Sequence, residues 1–309
     1  MLAVVNTPNG FDPVAIREVP EPAPKPNEAL VAVHAFSLNR GELRLFQLRP
    51  EGWRPGQDIA GVVLRQAADG SGPANGAQVV CLTDCEGWAE RAAVPSRRLA
   101  PLADHVSFGV AAALPVAGLT ALRTLRHGAP LLGRRALVTG AAGGVGNLAV
   151  QLAARSGARV TAVVGSAERA HVLDGLGAAE IVHRIEDASG LFAVILESAG
   201  GASLTAAIER IEPQGVVVVY GNSSGEPTPI DFRQFGEHQN ARLQAFHYFT
   251  AEPEERFGPD LALLAGLVAD GSLKPRIVEH DWRELARVGA LLRGRQIPGK
   301  AVFNIAQRS

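Results

Sequence analysis

The chain has 309 residues, 47% hydrophobic and 20% charged, with a formal net charge of −1. Beyond about 250–300 residues a single core stops growing, so two domains are expected. The neutral balance makes no case for nucleic acid, no apolar run is long enough to span a bilayer, and the opening MLAVVNTPNGFDPVAIREV lacks the basic and apolar regions of a signal peptide.

Taken in order, ALVAVHAFSLN (29–39), AGVVLRQA (60–67), AQVVCLT (77–83) and AERAAVP (89–95) predict strands. Clusters such as ADGSGPANG (68–76) predict turns between them, which together describe a barrel-like β unit. The two cysteines, Cys81 and Cys85, fit a reducing cytoplasm, and their C-x3-C spacing is a weak metal signal. From Pro115 the texture changes. A helix over 116–127 is followed by alternating strands and helices: RALVTG, NLAVQLAARSG, RVTAVVG, ERAHVLDGLG, EIVH, FAVILESAG, SLTAAIERIEP and GVVVVYG. This rhythm predicts a doubly wound parallel sheet, with left-handed helix termination at Gly157, Gly177 and Gly215. A helix over 259–273, a strand at PRIVEH, a helix at WRELARVGALLRG and a last strand KAVFNI complete the chain. The order suits a nucleotide domain inserted into a β-rich one. The aromatics of 231–249 line a pocket or belong to a helix on the sheet.

The most specific segment is ALVTGAAGGVGNLAVQLAA (136–154), in which strand, loop and helix follow one another. Ala142, Gly143, Gly144, Val145 and Gly146 form an A-x-G-x-x-G variant of the dinucleotide fingerprint, with Ala141 at the first glycine position. Gly143 leaves room for a pyrophosphate to approach the backbone, and Gly146 lets helix pack on strand. The acid that binds a ribose 2′-hydroxyl is due about 20 residues on. The chain has Gly165-Ser166 there. A small hydroxyl admits a 2′-phosphate, Arg169 can supply a charge-assisted bond, and Arg184 follows the next strand, so the pattern predicts NADP(H). In the alternative reading Ser166 is a helix cap and Arg169 a surface charge.

Assembled, these segments make the chain resemble the medium-chain dehydrogenase/reductase superfamily, within it the zinc-independent quinone oxidoreductase (zeta-crystallin-like) group. The resemblance spans nearly the full length and rests on HAFSLNRGEL, PGQDIAGVV, LPVAGLTALRTL, AAGGVGNLAVQLA, VVGSAERA, LESAGG, VYGNSSGEP and GKAVF. It implies an α/β fold: a Rossmann doubly wound parallel sheet (117–250) inserted in a GroES-like β-rich catalytic domain (1–116, with 251–309 returning to it). It also implies a cleft between the domains and a homodimer built through the Rossmann sheets. Zinc relatives carry a Cys and a His where this chain reads SLNRGEL and GQD, so no metal is expected. By the same resemblance Asn39 lies beside the nicotinamide, Thr120 near the ring and phosphates, and Arg295 and Lys300 reach back toward the cofactor. Asn222 and Ser223 follow GVVVVYG, at the edge of the sheet where ligands bind. A turn residue is the alternative for Asn39, a helix-start hydroxyl for Thr120, and a solvated lysine for Lys300.

Many relatives place a Tyr shortly after this Asn; here the residues are Glu42, Leu43, Arg44, Leu45 and Phe46. The proton donor is therefore open between water, an Arg-bound water and Glu42, the last only with a raised pKa. The expected activity is NADPH-dependent, zinc-free hydride transfer to a quinone or an α,β-unsaturated carbonyl, a small electrophile, in the cytoplasm. The alternatives are an enoyl-thioester or biosynthetic enone reductase on the same scaffold and a non-catalytic NADP(H)-binding protein.

Overall fold

The computed structural model describes residues 1–306 except 9, 11, 129, 249 and 251–253. Two compact units emerge, Met1–Leu119 with Pro253–Ser309, and Thr120–Glu252. The boundary expected at 250/251 adjoins residues 251–253, outside the described residues.

The first unit is organised by its longest strand, Glu28–Leu38. It pairs antiparallel with Asp58–Arg65, with Arg91–Pro95 and with Lys300–Asn304 near the end of the chain. The sheet continues outward through Gln78–Leu82 and Leu99–Pro101 on one side and Ile277–Asp281 on the other. The inward face of the long strand carries Phe36, stacked between Trp88 (ring centroids 5.0 Å apart) and Phe303 (5.1 Å). Each offset ring pair adds about 0.5–1.5 kcal/mol to the apolar area buried. The last strand is thus part of this core, because Phe303 closes one side of it.

Two elements here go beyond the sequence reading. Leu2–Asn6 and Val14–Glu18 form an antiparallel hairpin. The stretch SLNRGE, where a turn was the alternative for Asn39, opens a helix, Arg40–Leu48. Asn39 caps it, and the side chain of Glu42 accepts from the Asn39 backbone N–H at 2.9 Å. N-x-x-E is the sequence signature of such a reciprocal cap.

The second unit holds six parallel strands in the order Ala178–Val182, Arg159–Val163, Arg135–Val138, Phe192–Glu197, Ile211–Val219 and Arg242–Ala245. Numbered along the chain this is 3-2-1-4-5-6, the doubly wound order. Phe192–Glu197 is buried at every position, as expected of a strand covered on both faces.

Three local expectations are corrected. ERAHVLDGLG forms one helical turn, Ala167–Ala170, and a 3-10 turn, His171–Leu173, rather than a full helix. Left-handed Gly175 (φ 71°) and Gly177 (φ 92°) cut it short. Gly215 ends no helix: it lies inside Ile211–Val219, and Gln214 takes the positive φ of 65° instead. The segment 231–249 holds a 3-10 turn, Phe232–Phe235, and the sixth strand. Phe232 is 88% exposed while Phe246 and Tyr248 are buried; Phe249 lies outside the described residues.

Candidate functional site

In the second unit the first strand, Arg135–Val138, leads through Thr139 and left-handed Gly140 (φ 59°) into the helix Gly144–Arg155. Gly143 sits at the cap and donates to the Gly140 carbonyl at 2.8 Å. Being glycine, it offers no side chain to the first helical N–H groups, which have no acceptor within the helix and suit an anion. A Cβ at Gly146 would lie 2.3 Å from the Gly140 oxygen and 2.6 Å from the Ala141 Cα. Only hydrogen fits there, so the helix seats directly on the loop. Asn147 fastens the first turn by donating to the carbonyls of Gly143 (2.7 Å) and Gly144 (3.0 Å). Ala142 is buried beneath, while Gly143, Gly144 and Val145 are half-buried. The cradle fits a dinucleotide pyrophosphate.

The strand order reverses between the first and fourth strands, where open sheets of this kind bind ligands. Glu197 ends the fourth strand there, fully buried. Its carboxylate accepts from the N–H groups of Ala199 (3.0 Å) and Gly200 (2.9 Å) and from Ser203 Oγ (2.8 Å). Thr139 Oγ1 lies 3.3 Å from it and accepts from the Ser198 N–H at 2.8 Å. One buried acid therefore joins the strand of the phosphate loop to the loop after the fourth strand. A buried carboxylate needs such donors, since burial without them is costly. Asn222 packs on that same loop: a Cβ on Gly200 (φ 72°) would meet its Oδ1 at 2.2 Å. Ser223 donates its N–H to the Ser198 carbonyl at 3.0 Å. Tyr220 stands beside them with its hydroxyl 3.4 Å from the Thr139 carbonyl, its pKa pushed up to about 12 by burial. Sequence reasoning passed over Glu197, although an acid ending the apolar run FAVIL was its signal.

Ser166 and Arg169 follow the second strand and Arg184 the third, and those strands pair directly. The Ser166 hydroxyl caps nothing; it donates to Glu168 Oε2 at 3.1 Å. Arg184 pairs with Glu186 at 3.0 Å, both exposed.

In the first unit five polar side chains meet. Lys300 Nζ donates to Asp58 Oδ2 at 3.0 Å and to Asn39 Oδ1. Asn39 Nδ2 donates to Asp58 Oδ2 (2.8 Å) and Glu42 Oε2 (3.2 Å). Ser37 Oγ and the Val116 N–H also donate to Asp58, each at 2.8 Å. Glu42 Oε1 takes the Gln57 N–H at 3.1 Å. Glu42, Asp58 and Ser37 are fully buried and Lys300 is 5% exposed. The solvated alternative for Lys300 is thereby corrected: its ammonium faces two buried carboxyl groups. Burial first, and the Asp58 charge second, push the Glu42 pKa from its ordinary 4.5 up to about 8. The shift is the one a proton donor would need, yet both carboxyl oxygens are engaged by N–H groups.

Thr120 is the sixth residue of the helix Pro115–Arg126, buried, so the helix-start alternative is corrected. Its carbonyl accepts from Thr124 Oγ1 at 2.7 Å. Arg295 is exposed, with φ 59°, in the turn after Leu285–Arg293.

The Zinc-binding dehydrogenase family model matches residues 144–265. The quinone oxidoreductase of Rattus norvegicus is 30% identical over 232 residues, 69% of this chain and 70% of that one. The chain belongs to the quinone oxidoreductase group of the medium-chain dehydrogenase/reductase superfamily. Another member of the group, the chloroplast envelope quinone oxidoreductase homolog of Arabidopsis thaliana, is 39% identical over 184 residues, 53% of this chain. The match spans about half of that relative, 55% of its length. Among solved structures, the Escherichia coli quinone oxidoreductase complexed with NADPH aligns over 99% of this chain and 100% of its own, with a TM-score of 0.87 and 21% identity.

The Glu42 shift has a consequence for stability. Its folded pKa exceeds the unfolded one, so between pH 4.5 and 8 the folded chain binds more protons. The stabilising term is full below pH 4.5 and is lost as pH rises through 8. Urea midpoints at pH 5, 6.5 and 8 are expected to fall in that order, and Glu42→Gln to flatten the series. An unchanged slope in the variant would assign the pH dependence to other groups.

Proposed function

We propose that the protein is an NADPH-dependent, zinc-free oxidoreductase that reduces a quinone or an α,β-unsaturated carbonyl. The observation that carries this reading is the glycine cradle at Gly143–Gly146, set at the point where the strand order reverses. The NADPH bound to the Escherichia coli neighbour and the names of the relatives support it.

When bound, the nicotinamide supplies hydride from its C4 carbon. The chain's own task is to hold that ring and keep charges in place. The N–H groups of Gly144, Val145 and Gly146 would hold the pyrophosphate. Ser166, Arg169 and Arg184 are offered to the 2′-phosphate, Asn222, Ser223 and Thr120 to the rest of the dinucleotide, and Arg295 to the cofactor. Asn39 is offered to the nicotinamide: both its amide hydrogens are engaged by Asp58 and Glu42, and one lone pair by Lys300, so its plane is fixed. Lys300 and Glu42 then act as positioning residues. With its oxygens covered by the Asn39 and Gln57 N–H groups, Glu42 is a poor proton donor to substrate, and solvent water is the proton source.

Zinc relatives carry a Cys and a His in the stretches where this chain reads SLNRGEL and GQD. Here the ammonium of Lys300 supplies the positive charge beside Asp58. Among the described residues no group of three His, Cys, Asp or Glu side chains converges in a manner suited to a metal, and no helix is long and apolar enough to cross a membrane. Both free cysteines, Cys81 and Cys85, are compatible with a reducing cytoplasm.

The test is anaerobic NADPH oxidation against quinones, enones, enals and enoyl thioesters, repeated with NADH and after chelator treatment. The expected result is turnover of quinones or enones, faster with NADPH, unaffected by chelator, and cut 10- to 100-fold in kcat/KM by Asn39→Ala. Loss of activity on chelation, restored by zinc, would overturn the zinc-free reading. Absence of turnover with every acceptor would favour a binding protein.

The reading extends to a homodimer. The sixth strand, Arg242–Ala245, lies at the edge of its sheet and exposes Leu243, and such edges invite pairing. Light scattering should give twice the chain mass, and a monomer at micromolar concentration would exclude the dimer.

A further inference from the structure

The acid missing from Gly165-Ser166 is not missing from the neighbourhood. Glu168 stands two residues on, and its Oε2 takes the hydroxyl proton of Ser166 at 3.1 Å. A serine hydroxyl has one proton to give. Ser166 stands at a cap position without capping, so that proton is directed to the carboxylate. A 2′-phosphate arriving at Ser166 would compete with Glu168 for the same donor, and both are anions. A ribose 2′-hydroxyl would meet no such conflict, since it can donate to the Glu168 carboxylate. That is the bond an acid at the end of the strand would make.

The adjoining strand end repeats the pattern, with Arg184 paired to Glu186 at 3.0 Å. The two arginines offered to the phosphate, Arg169 and Arg184, are thus accompanied by two acids, Glu168 and Glu186, at the same two helical turns. The local charge is balanced rather than strongly positive.

We propose that Glu168 is a specificity-determining residue that narrows the preference for NADPH, by accepting the 2′-hydroxyl of NADH and opposing the 2′-phosphate of NADPH. This rests on the cofactor reading above. The protein accordingly binds both nucleotides.

The experiment is titration of the full chain with NADPH and with NADH, followed by nicotinamide fluorescence, for wild type, Glu168→Gln and Glu209→Gln. Glu168 is exposed, so the amide variant keeps the fold. Glu209 is an exposed acid of the same unit that follows the helix Gly201–Ile208 and serves as the charge control. Removing one charge beside a phosphate dianion at a solvated site is expected to raise the NADPH-to-NADH affinity ratio about 10-fold in Glu168→Gln. The gain should shrink at high salt. The control should keep the wild-type ratio. An unchanged ratio in Glu168→Gln, with both nucleotides bound, would overturn the role of Glu168 and leave the cofactor reading intact. An equal rise in Glu209→Gln would overturn it as a net-charge effect. Binding of neither nucleotide would overturn both readings.

Discussion

A single ammonium group holds the first unit's polar centre together. Lys300 lies between Asp58 and Asn39, with Glu42 on the far side of the same amide, and all but Asn39 are buried. Two carboxyl groups in a dry interior repel, and each alone carries a large desolvation cost. The cation is hydrogen-bonded to Asp58, Glu42 keeps a pKa raised to about 8, and the remaining lone pairs are met by Ser37, Gln57, Val116 and the Asn39 backbone. Sequence distance makes this consequential. Lys300 reaches Asn39 across 261 positions, which it can do only because Lys300–Asn304 lies against Glu28–Leu38. The register that puts Phe303 onto Phe36 also places the ammonium.

The second unit is built around the opposite charge. Glu197 is met by hydroxyl and backbone N–H groups from Thr139, Ala199, Gly200 and Ser203. Hydrogen bonds to a charged acceptor are roughly twice as strong as neutral ones, which suits an acid that fixes loop geometry. Left-handed Gly200 and Gly201 permit the turn, and Asn222 fills the space a side chain would need. The two units thus meet the same problem, a buried acid at a functional edge, by different means.

Much of this was legible in the sequence. Period and punctuation gave the parallel strands, and the loop at Ala142–Gly146 announced its own conformation, because glycine there has a steric reason. Helix Arg40–Leu48 was legible too, in the capping pattern N-R-G-E, but its short apolar face lay among strand signals. The sixth strand was not legible. RLQA has no apolar run, since an edge strand with exposed residues does not need one. Nor could the partners of Lys300 be read, because pairing across 242 and 261 positions follows from sheet register rather than from local pattern. Glu168 illustrates a third kind of limit. Counting residues identified the place of an acid, but only side-chain geometry shows that an acid two positions away accepts the Ser166 hydroxyl.

Lys300 is a buried, hydrogen-bonded ammonium on which the first unit's polar centre depends. The chain has three lysines, and Lys25 and Lys274 are exposed, so lysine-labelled protein offers a clear reading. Nitrogen-15 NMR of the side-chain Nζ groups near neutral pH should show one NH3⁺ signal protected from exchange, absent in Lys300→Met. Three fast-exchanging lysines, with no protected ammonium, would contradict the network.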